Sequence, residues 1–276
     1  MEYINFRNVM IPKLGFGTYK MGDGNPNDLK VLEYGYNNFG MTLIDTAEMY
    51  GDGRSEILVG EFLKNVDRNK IFLIDKILPS NAKKGNFLKT CKESLKRLGT
   101  SYIDLYLLHW REDVILQDMV DEMEKLVSLG LIKHWGVSNF DVNDMEDLFK
   151  CKNGEKCFAN QCLYNIESRG VEFDLIPYCK KCDVLFISYS PIGHNPKLRE
   201  QIFQEIDTNK IKERTPESMM LQFVIKEGAV AIFKTSSIEH LVSNMKDVFL
   251  PLLDKEKEII DSSFPKPTKK EELKKI

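Results

Sequence analysis

Three residues bearing charge or an imidazole end three successive apolar runs. Asp45 follows Leu43-Ile44, Lys76 follows Ile71–Asp75, and His109 follows Ile103–Leu108. Tyr50 lies five residues beyond Asp45, in the loop that follows. A free phenol has a pKa near 10 and is a poor acid at neutral pH. A cation within about 4–6 Å favours the phenolate and lowers that value. Lys76 is the candidate cation, held by an ion pair to Asp45. His109 is placed to hydrogen-bond a substrate oxygen or the phenol. Such a set makes a tuned general acid, a contribution of roughly 10²–10⁴-fold. Taken singly, Asp45–Lys76 reads as a structural ion pair and His109 as a satisfied rim histidine. Four suitable groups together point instead to proton transfer.

These groups must be brought together by the elements that carry them. Eight short apolar runs read as buried strands: Leu14–Gly17, Leu43–Asp45, Ile71–Lys76, Ile103–His109, His134–Val137, Ala159–Cys162, Leu185–Ser190 and Val230–Phe233. The near-continuous apolar run 103–108 suits a strand buried on both faces, as in a parallel sheet. Helical patterns separate the runs. Leu116, Met119, Val120, Met123, Leu126 and Val127 fall on one helix face, with Gly130 where a cap is expected. Phe87–Leu98 carries Cys91, Leu95 and Leu98 on one face and ends at Gly99. Alternation of this kind predicts an α/β (β/α)8 TIM barrel, with residues 2–12 as an N-terminal hairpin capping its bottom. The wide gap before Val230 leaves room for an extra loop. An open doubly wound sheet is the rival. It wants a glycine-rich phosphate turn, and Gly15-Phe-Gly17-Thr18 only begins one.

Barrels place their chemistry at the C-terminal strand ends. Those ends read Thr18, Asp45, Lys76, His109, Ser138, Gln161, Tyr189 and Lys234, all polar. Neighbouring strands lie about 4.8 Å apart, so these side chains can converge.

Composition narrows the partners. The chain has 276 residues, 42% of them hydrophobic, and 39 Lys plus Arg against 42 Asp plus Glu, for a net charge of −3. A length near 250 suits one barrel domain spanning 1–276. The charge balance lacks the basic footprint of nucleic-acid binding. No apolar run of about 18 residues suggests a membrane span. The first residues, MEYINFRNVM, lack a signal-peptide pattern, so a cytoplasmic protein is expected. A small-molecule partner fits this profile, as does a monomer or weak homo-oligomer. No metal site is expected. Cys179-Lys-Lys-Cys182 has redox or half-zinc spacing, but no second pair accompanies it, and plain thiols are the simpler reading. The polar tail, residues 266–276, reads as a solvated segment.

With these residues in view, the chain resembles the aldo-keto reductase superfamily along almost its whole length. Leu43-Ile-Asp-Thr-Ala-Glu-Met-Tyr50-Gly looks like the family's strand-two signature, and Lys76 after Ile-Phe-Leu-Ile-Asp looks like its lysine. Tyr102-Ile-Asp-Leu-Tyr-Leu-Leu-His109-Trp looks like its histidine strand. Gly136-Val-Ser-Asn-Phe140, Asn160-Gln161 and Ser188-Tyr-Ser-Pro191 look like its nicotinamide-binding segments. Ala-Glu-Met-Tyr-Gly-Asp-Gly, His-Trp and the 164–170 stretch further resemble bacterial methylglyoxal reductases of the superfamily.

The resemblance implies an NADPH-dependent carbonyl reductase, with NADH also admitted. It implies Tyr50 as proton donor, Lys76 and Asp45 lowering its pKa, and His109 orienting the carbonyl. Ser138, Asn139 and Gln161 would hold the carboxamide and Tyr189 would stack on the ring, with Ser190 beside it. Gly17 and Thr18 would approach the cofactor through their backbone. Lys234, Thr235, Ser236, His240 and Asn244 would meet the adenosine end. Two departures stand there: His240 takes the place of the family's arginine, and Ser243 that of its adenine-gripping glutamate. Arginine binds phosphate bidentately and is always charged, whereas an imidazole is largely neutral at pH 7. The expectation is a modest NADPH preference that grows below about pH 6.5 as His240 charges.

Tyr19, Leu78 and Trp110 align with pocket positions, and their apolar character suits small aldehydes and dicarbonyls. Arg111 reads either as a carboxylate anchor or as a solvated side chain. Little chain follows the last helix near Ser263, so the substrate loop is expected to be short and the pocket open. Two other functions share the fold: a cofactor-binding regulator of the channel β-subunit type, and a Schiff-base enzyme using Lys76. The Asp45 partner opposes the second, because an ion pair keeps the amine charged.

Overall fold

Side-chain alternation along the short strands organises the molecule, which is described from a computed structural model covering residues 1–197, 200–201, 204 and 214–276. The chain opens with an antiparallel hairpin of β1 (Tyr3–Phe6) and β2 (Val9–Pro12). Eight parallel strands then close into a barrel. They are β3 (Leu14–Gly17), β4 (Leu43–Asp45), β5 (Phe72–Ile77), β6 (Ile103–Leu108), β7 (Ile132–Ser138), β8 (Ala159–Leu163), β9 (Leu185–Tyr189) and β10 (Val230–Phe233). Strand β10 pairs with β3 through Ala231 and Leu14, which completes the ring. The expected barrel and its hairpin cap are therefore both present, and the open sheet is excluded.

Boundaries differ by one or two residues from the apolar runs, because pairing rather than hydropathy sets them. Ile132 pairs with Ile103 and lengthens β7 backwards, while Leu163 pairs with Tyr189 and extends β8. Ile71 precedes β5 and His109 follows β6. Ser190 leaves the ladder with φ 52°.

Period two divides the strand residues between two cores. Leu43, Ile74, Leu105, Leu107, Ala159, Ile187, Val230 and Ile232 fill the barrel interior. Ile11 of the hairpin joins them from below, and Phe6 meets Phe158 edge-on at 5.1 Å. Leu14, Phe16, Ile44, Leu73, Tyr106, Trp135 and Phe233 face outward into a second layer under the helices. Those helices are α1 (Asn27–Phe39), α2 (Arg54–Leu63), α3 (Phe87–Leu98), α4 (Leu116–Ser128), α5 (Val142–Phe149), α6 (Leu175–Lys181), α7 (Pro216–Lys226), α8 (Ile238–Met245) and α9 (Asp254–Ser263). Gly99 closes α3 with φ 62°, a left-handed cap that glycine adopts without a Cβ clash. No helix among the described residues is long and apolar enough to cross a membrane.

The expected extra loop falls between β9 and α7, where residues 198–199, 202–203 and 205–213 lie outside the described residues. The tail departs from its expected form in one respect. It is exposed along most of its length, yet it lies against the barrel rather than free of it. Leu273 packs on the outer core, Glu271 covers Gly170, and Lys270 pairs with Asp174 at 3.7 Å.

Candidate active site

Strand parity decides which groups reach the top of the barrel interior. Leu43 points inward, so Asp45, two residues on, does too. Ile74 carries Lys76 inward in the same way, and Leu107 carries His109. The same count sends Ser138, Gln161, Tyr189 and Lys234 to the open end, where a cavity of about 490 Å³ collects them.

Lys76 is completely buried and Asp45 nearly so. The lysine Nζ donates to Asp45 Oδ2 at 2.8 Å, to the Thr46 carbonyl at 2.9 Å and to Tyr50 Oη at 3.2 Å. All three ammonium protons therefore have acceptors. Asp45 Oδ1 accepts from Gln161 Nε2 at 2.8 Å, across the barrel. Tyr50 returns to this cluster because its loop turns sharply. Its N–H bonds to the Ala47 carbonyl at 3.0 Å, and Gly51, Asp52 and Gly53 all take positive φ. The Ser55 hydroxyl behind this turn lies 2.6 Å from Thr18 Oγ1, which itself donates to the Asp45 carbonyl at 2.9 Å.

Electrostatics follow from burial. Burial raises the pKa of Tyr50 and outweighs the opposing pull of Lys76. The expected net lowering is thus reversed: the cation limits the rise, and the phenol keeps its proton at neutral pH. For Lys76, burial works against charge, but Asp45 and Tyr50 together hold the pKa above its ordinary value. His109 is pushed down to about 3, by burial first and Lys76 second. It is a neutral imidazole at any physiological pH. Its ring meets Tyr50 at 5.9 Å, edge-on.

A second set lies beside the first. Tyr189 Oη donates to Asn139 Oδ1 at 2.9 Å, and Asn139 Nδ2 donates to the His109 carbonyl at 3.1 Å. Ser138 Oγ donates to the Gln161 carbonyl at 2.8 Å. This ties the Tyr189 ring to the Asn139 amide. Gln161 spends its N–H on Asp45 and keeps Oε1 as an acceptor.

The far end of the cavity is lined by Lys234, Thr235, His240, Ser243 and Asn244. Lys234 and His240 are exposed. His240 stands in the first turn of α8, whose N-cap is Ser237. The Thr235 hydroxyl is engaged in that turn, accepting from Ser237 N–H at 3.1 Å. The cavity carries amides and an aromatic face at one end and a lysine and an imidazole at the other, groups that suit the two ends of a dinucleotide.

Of the residues singled out from sequence, Gly17, Tyr19, Asp45, Tyr50, His109, Ser138, Asn139, Gln161, Tyr189, Ser190, Lys234, Thr235, His240 and Asn244 line the cavity. Lys76 sits behind it, bonded to Tyr50. Five do not border it: Thr18, Leu78, Trp110, Ser236 and Arg111. Thr18 faces Ser55 instead. The Leu78 N–H is held by Glu48, at 2.6 Å. Trp110 leans on His109 and turns its Nε1 to Glu112 at 3.3 Å. The Ser236 hydroxyl is buried in the turn before α8. Arg111 is half-buried and not a free anchor, being paired with Asp144 at 2.8 Å and Asp147 at 2.9 Å. Sequence reasoning missed Met49, Ile192, His194, Glu217 and Ile276, which also line it. Met49 and His194 neighbour recognised residues, which was a usable signal; nothing in the sequence marks Ile276. Cys179 is a buried thiol whose pKa burial raises, and no three His, Cys, Asp or Glu among the described residues are grouped to hold a metal ion.

Comparison with known proteins shows the family and the fold. The model of the aldo/keto reductase family matches residues 13–264. The methylglyoxal reductase YeaE of Escherichia coli K12 is 37% identical over 96% of this chain and 95% of its own length. An aldehyde reductase of Saccharomyces cerevisiae is 29% identical over 87% of this chain and 84% of its own. An aldo/keto reductase from Klebsiella pneumoniae, crystallised with NADP and acetate, superposes with a TM-score of 0.93 at 37% identity, covering 100% of this chain and 99% of that one.

Proposed function

The chain belongs to the aldo/keto reductase family of oxidoreductases, and from that premise we propose that it reduces small aldehydes and dicarbonyls such as methylglyoxal to alcohols, using NADPH. When bound, the reduced nicotinamide supplies a hydride to the carbonyl carbon. Everything else is done by side chains of this chain.

Tyr50 gives its proton to the carbonyl oxygen. Its phenol is a usable acid because Lys76 stands 3.2 Å away to stabilise the phenolate left behind. Asp45 holds the ammonium in place, and Gln161 holds Asp45. His109, neutral and rigid, orients the carbonyl by a hydrogen bond. Gln161, Asn139 and Ser138 receive the carboxamide, and Tyr189 offers the flat face on which the ring stacks. Lys234, joined by His240, meets the 2′-phosphate, and Asn244 meets the adenine. Tyr19, Met49 and Ile276 give the substrate side an apolar rim, which suits small carbonyl compounds. The reading treats residues 1–276 as one barrel domain, since its groups come from strands along the entire chain.

One observation carries the proposal: a buried lysine joins a carboxylate and a phenol beside a cavity of about 490 Å³. Tyr50→Phe tests it. Turnover of methylglyoxal should fall by at least about 10²-fold while NADPH still binds. An unchanged rate removes Tyr50 as the acid. Purified protein that binds NADPH but never consumes it with any aldehyde would favour the regulatory-subunit reading instead.

A further inference from the structure

Glu48 belongs to none of the roles above, yet it is wired into the loop that carries Tyr50. Its Oε1 accepts from the Leu78 N–H at 2.6 Å. Asn81 Nδ2 lies 3.2 Å from the same oxygen and 3.1 Å from Oε2. Its own N–H donates to the Lys76 carbonyl at 3.3 Å. One residue therefore spans two loops: the one leaving β4, which bears Tyr50, and the one leaving β5, which follows Lys76. We propose that Glu48 is a positioning residue that sets the distance between the Tyr50 phenol and the Lys76 ammonium by clamping these two loops together.

The argument is one of geometry. Lys76 is fixed by a strand and by three acceptors. Tyr50 is not on a strand; apart from the Lys76 bond and the edge-on contacts with Tyr19 and His109, its loop determines where the phenol lies. Ahead of the clamp, the Thr46 N–H still bonds to the Ile74 carbonyl at 2.9 Å, so the barrel ladder holds the loop's start. Behind it, Ser55 N–H reaches the Tyr50 carbonyl only at 3.3 Å. Glu48 is the side-chain anchor between these points. A misplacement of about 1 Å in such a group costs on the order of 10²-fold in rate.

The anchor is also titratable. Burial raises the Glu48 pKa, with the Leu78 and Asn81 bonds opposing. Charged or titratable groups act on it from every side: Glu56 on α2, Arg97 on α3, Asp75 on β5 and Tyr106 on β6. Protonation at Oε2 sets an O–H donor against the Asn81 NH2, so the carboxyl keeps only Oε1 to accept from Leu78 and Asn81. The clamp is intact above the raised pKa and weakens as pH falls through it.

The test uses the full chain, NADPH and methylglyoxal. It rests on Tyr50 being the acid, so Tyr50→Phe is run beside it; a fully active Tyr50→Phe overturns that reading, whereas a fully active Glu48 variant overturns only the clamp. Glu48→Ala should lower kcat roughly 10- to 100-fold. NADPH affinity, read by quenching of protein fluorescence, should stay within about twofold of wild type, a split that general disruption would not produce. Glu48→Gln keeps an acceptor for Leu78 but sets an NH2 group against Asn81. It should be partly active and should lack the acid limb expected of wild-type kcat. An ultraviolet titration of Tyr50, taken as the difference from Tyr50→Phe, should show its pKa moving upward in Glu48→Ala as Lys76 is left farther away. A kcat within twofold of wild type in Glu48→Ala, equal losses of kcat and NADPH affinity, or an unaltered acid limb in Glu48→Gln each overturns the proposal. If Glu48→Ala does not fold, Glu48→Gln and Asn81→Ala decide: wild-type pH profiles in both overturn the clamp, and a shifted limb in either upholds it.

Discussion

The two ends of the cleft are built on opposite principles. At the inner end Asp45, Lys76, Gln161 and His109 are buried, and the first three are joined by bonds of 2.8 Å. At the outer end Lys234 and His240 are exposed, and their neighbours' hydroxyls serve the local turn. A proton transfer needs groups held to a fraction of an ångström, and burial with the bonds that join Lys76, Asp45 and Gln161 supplies that. Attracting a phosphate needs only charge nearby, and an exposed, loosely held cation supplies that at little cost in desolvation. Mutations at the inner end should therefore be severe and act on kcat. Those at the outer end should be mild and act on cofactor affinity.

The largest expected effect is at Lys76. Lys76→Met should lower kcat by at least about 10²-fold. It should also cost on the order of 3–5 kcal/mol in urea unfolding, because the buried Asp45 loses its charge partner. A variant as stable as wild type would mean that Gln161 alone satisfies the carboxylate. His109 comes next and concerns pH. Its folded pKa is about 3 against an ordinary value near 6.5, so the unfolded chain binds the proton first as pH falls. Stability present above about pH 6.5 is lost progressively toward pH 3, on the order of 3 kcal/mol by pH 4.5. Thermal melting of His109→Gln should show a smaller drop between pH 7 and pH 4.5 than wild type. Equal drops would place the loss elsewhere.

At the outer end, Lys234→Ala should weaken NADPH binding by about tenfold and leave NADH binding nearly unchanged, by fluorescence titration. Equal weakening of both cofactors would move Lys234 away from the 2′-phosphate. The smallest change expected is His240→Arg, a few-fold tighter NADPH binding, because a guanidinium can grip a phosphate through two parallel bonds. A tenfold or greater gain would break the contrast, since it would make the outer end as geometry-dependent as the inner one.

Legibility in the sequence followed regularity. Asp45, Lys76 and His109 were found because each ends an apolar strand, and alternation tells which face the next residue takes. Gln161 and Tyr189 were found by the same parity. Tyr50 sits on a loop and was found through its resemblance to a known signature and its proximity to Asp45. Leu78 and Trp110 follow strand ends just as closely, yet the chain turns them away from the cavity. The Arg111 pairing was not legible, because Asp144 and Asp147 come from α5, which no local pattern connects to it. The direction of the Tyr50 shift was also missed. A nearby cation is visible in a sequence, but the depth of burial that outweighs it is not.

By itself, then, the order of residues determined the barrel, the strands that compose it and the polar groups crowning its interior. It did so because period two and the repeating βα unit are local properties, readable without knowing what packs against what. The tertiary structure alone decided the rest. It brought Glu48 under the loop after β5, laid the tail along the barrel so that Ile276 reaches the cavity, and buried Tyr50 deeply enough to keep its proton. Those outcomes depend on irregular segments meeting distant ones, and no periodicity encodes where such segments meet.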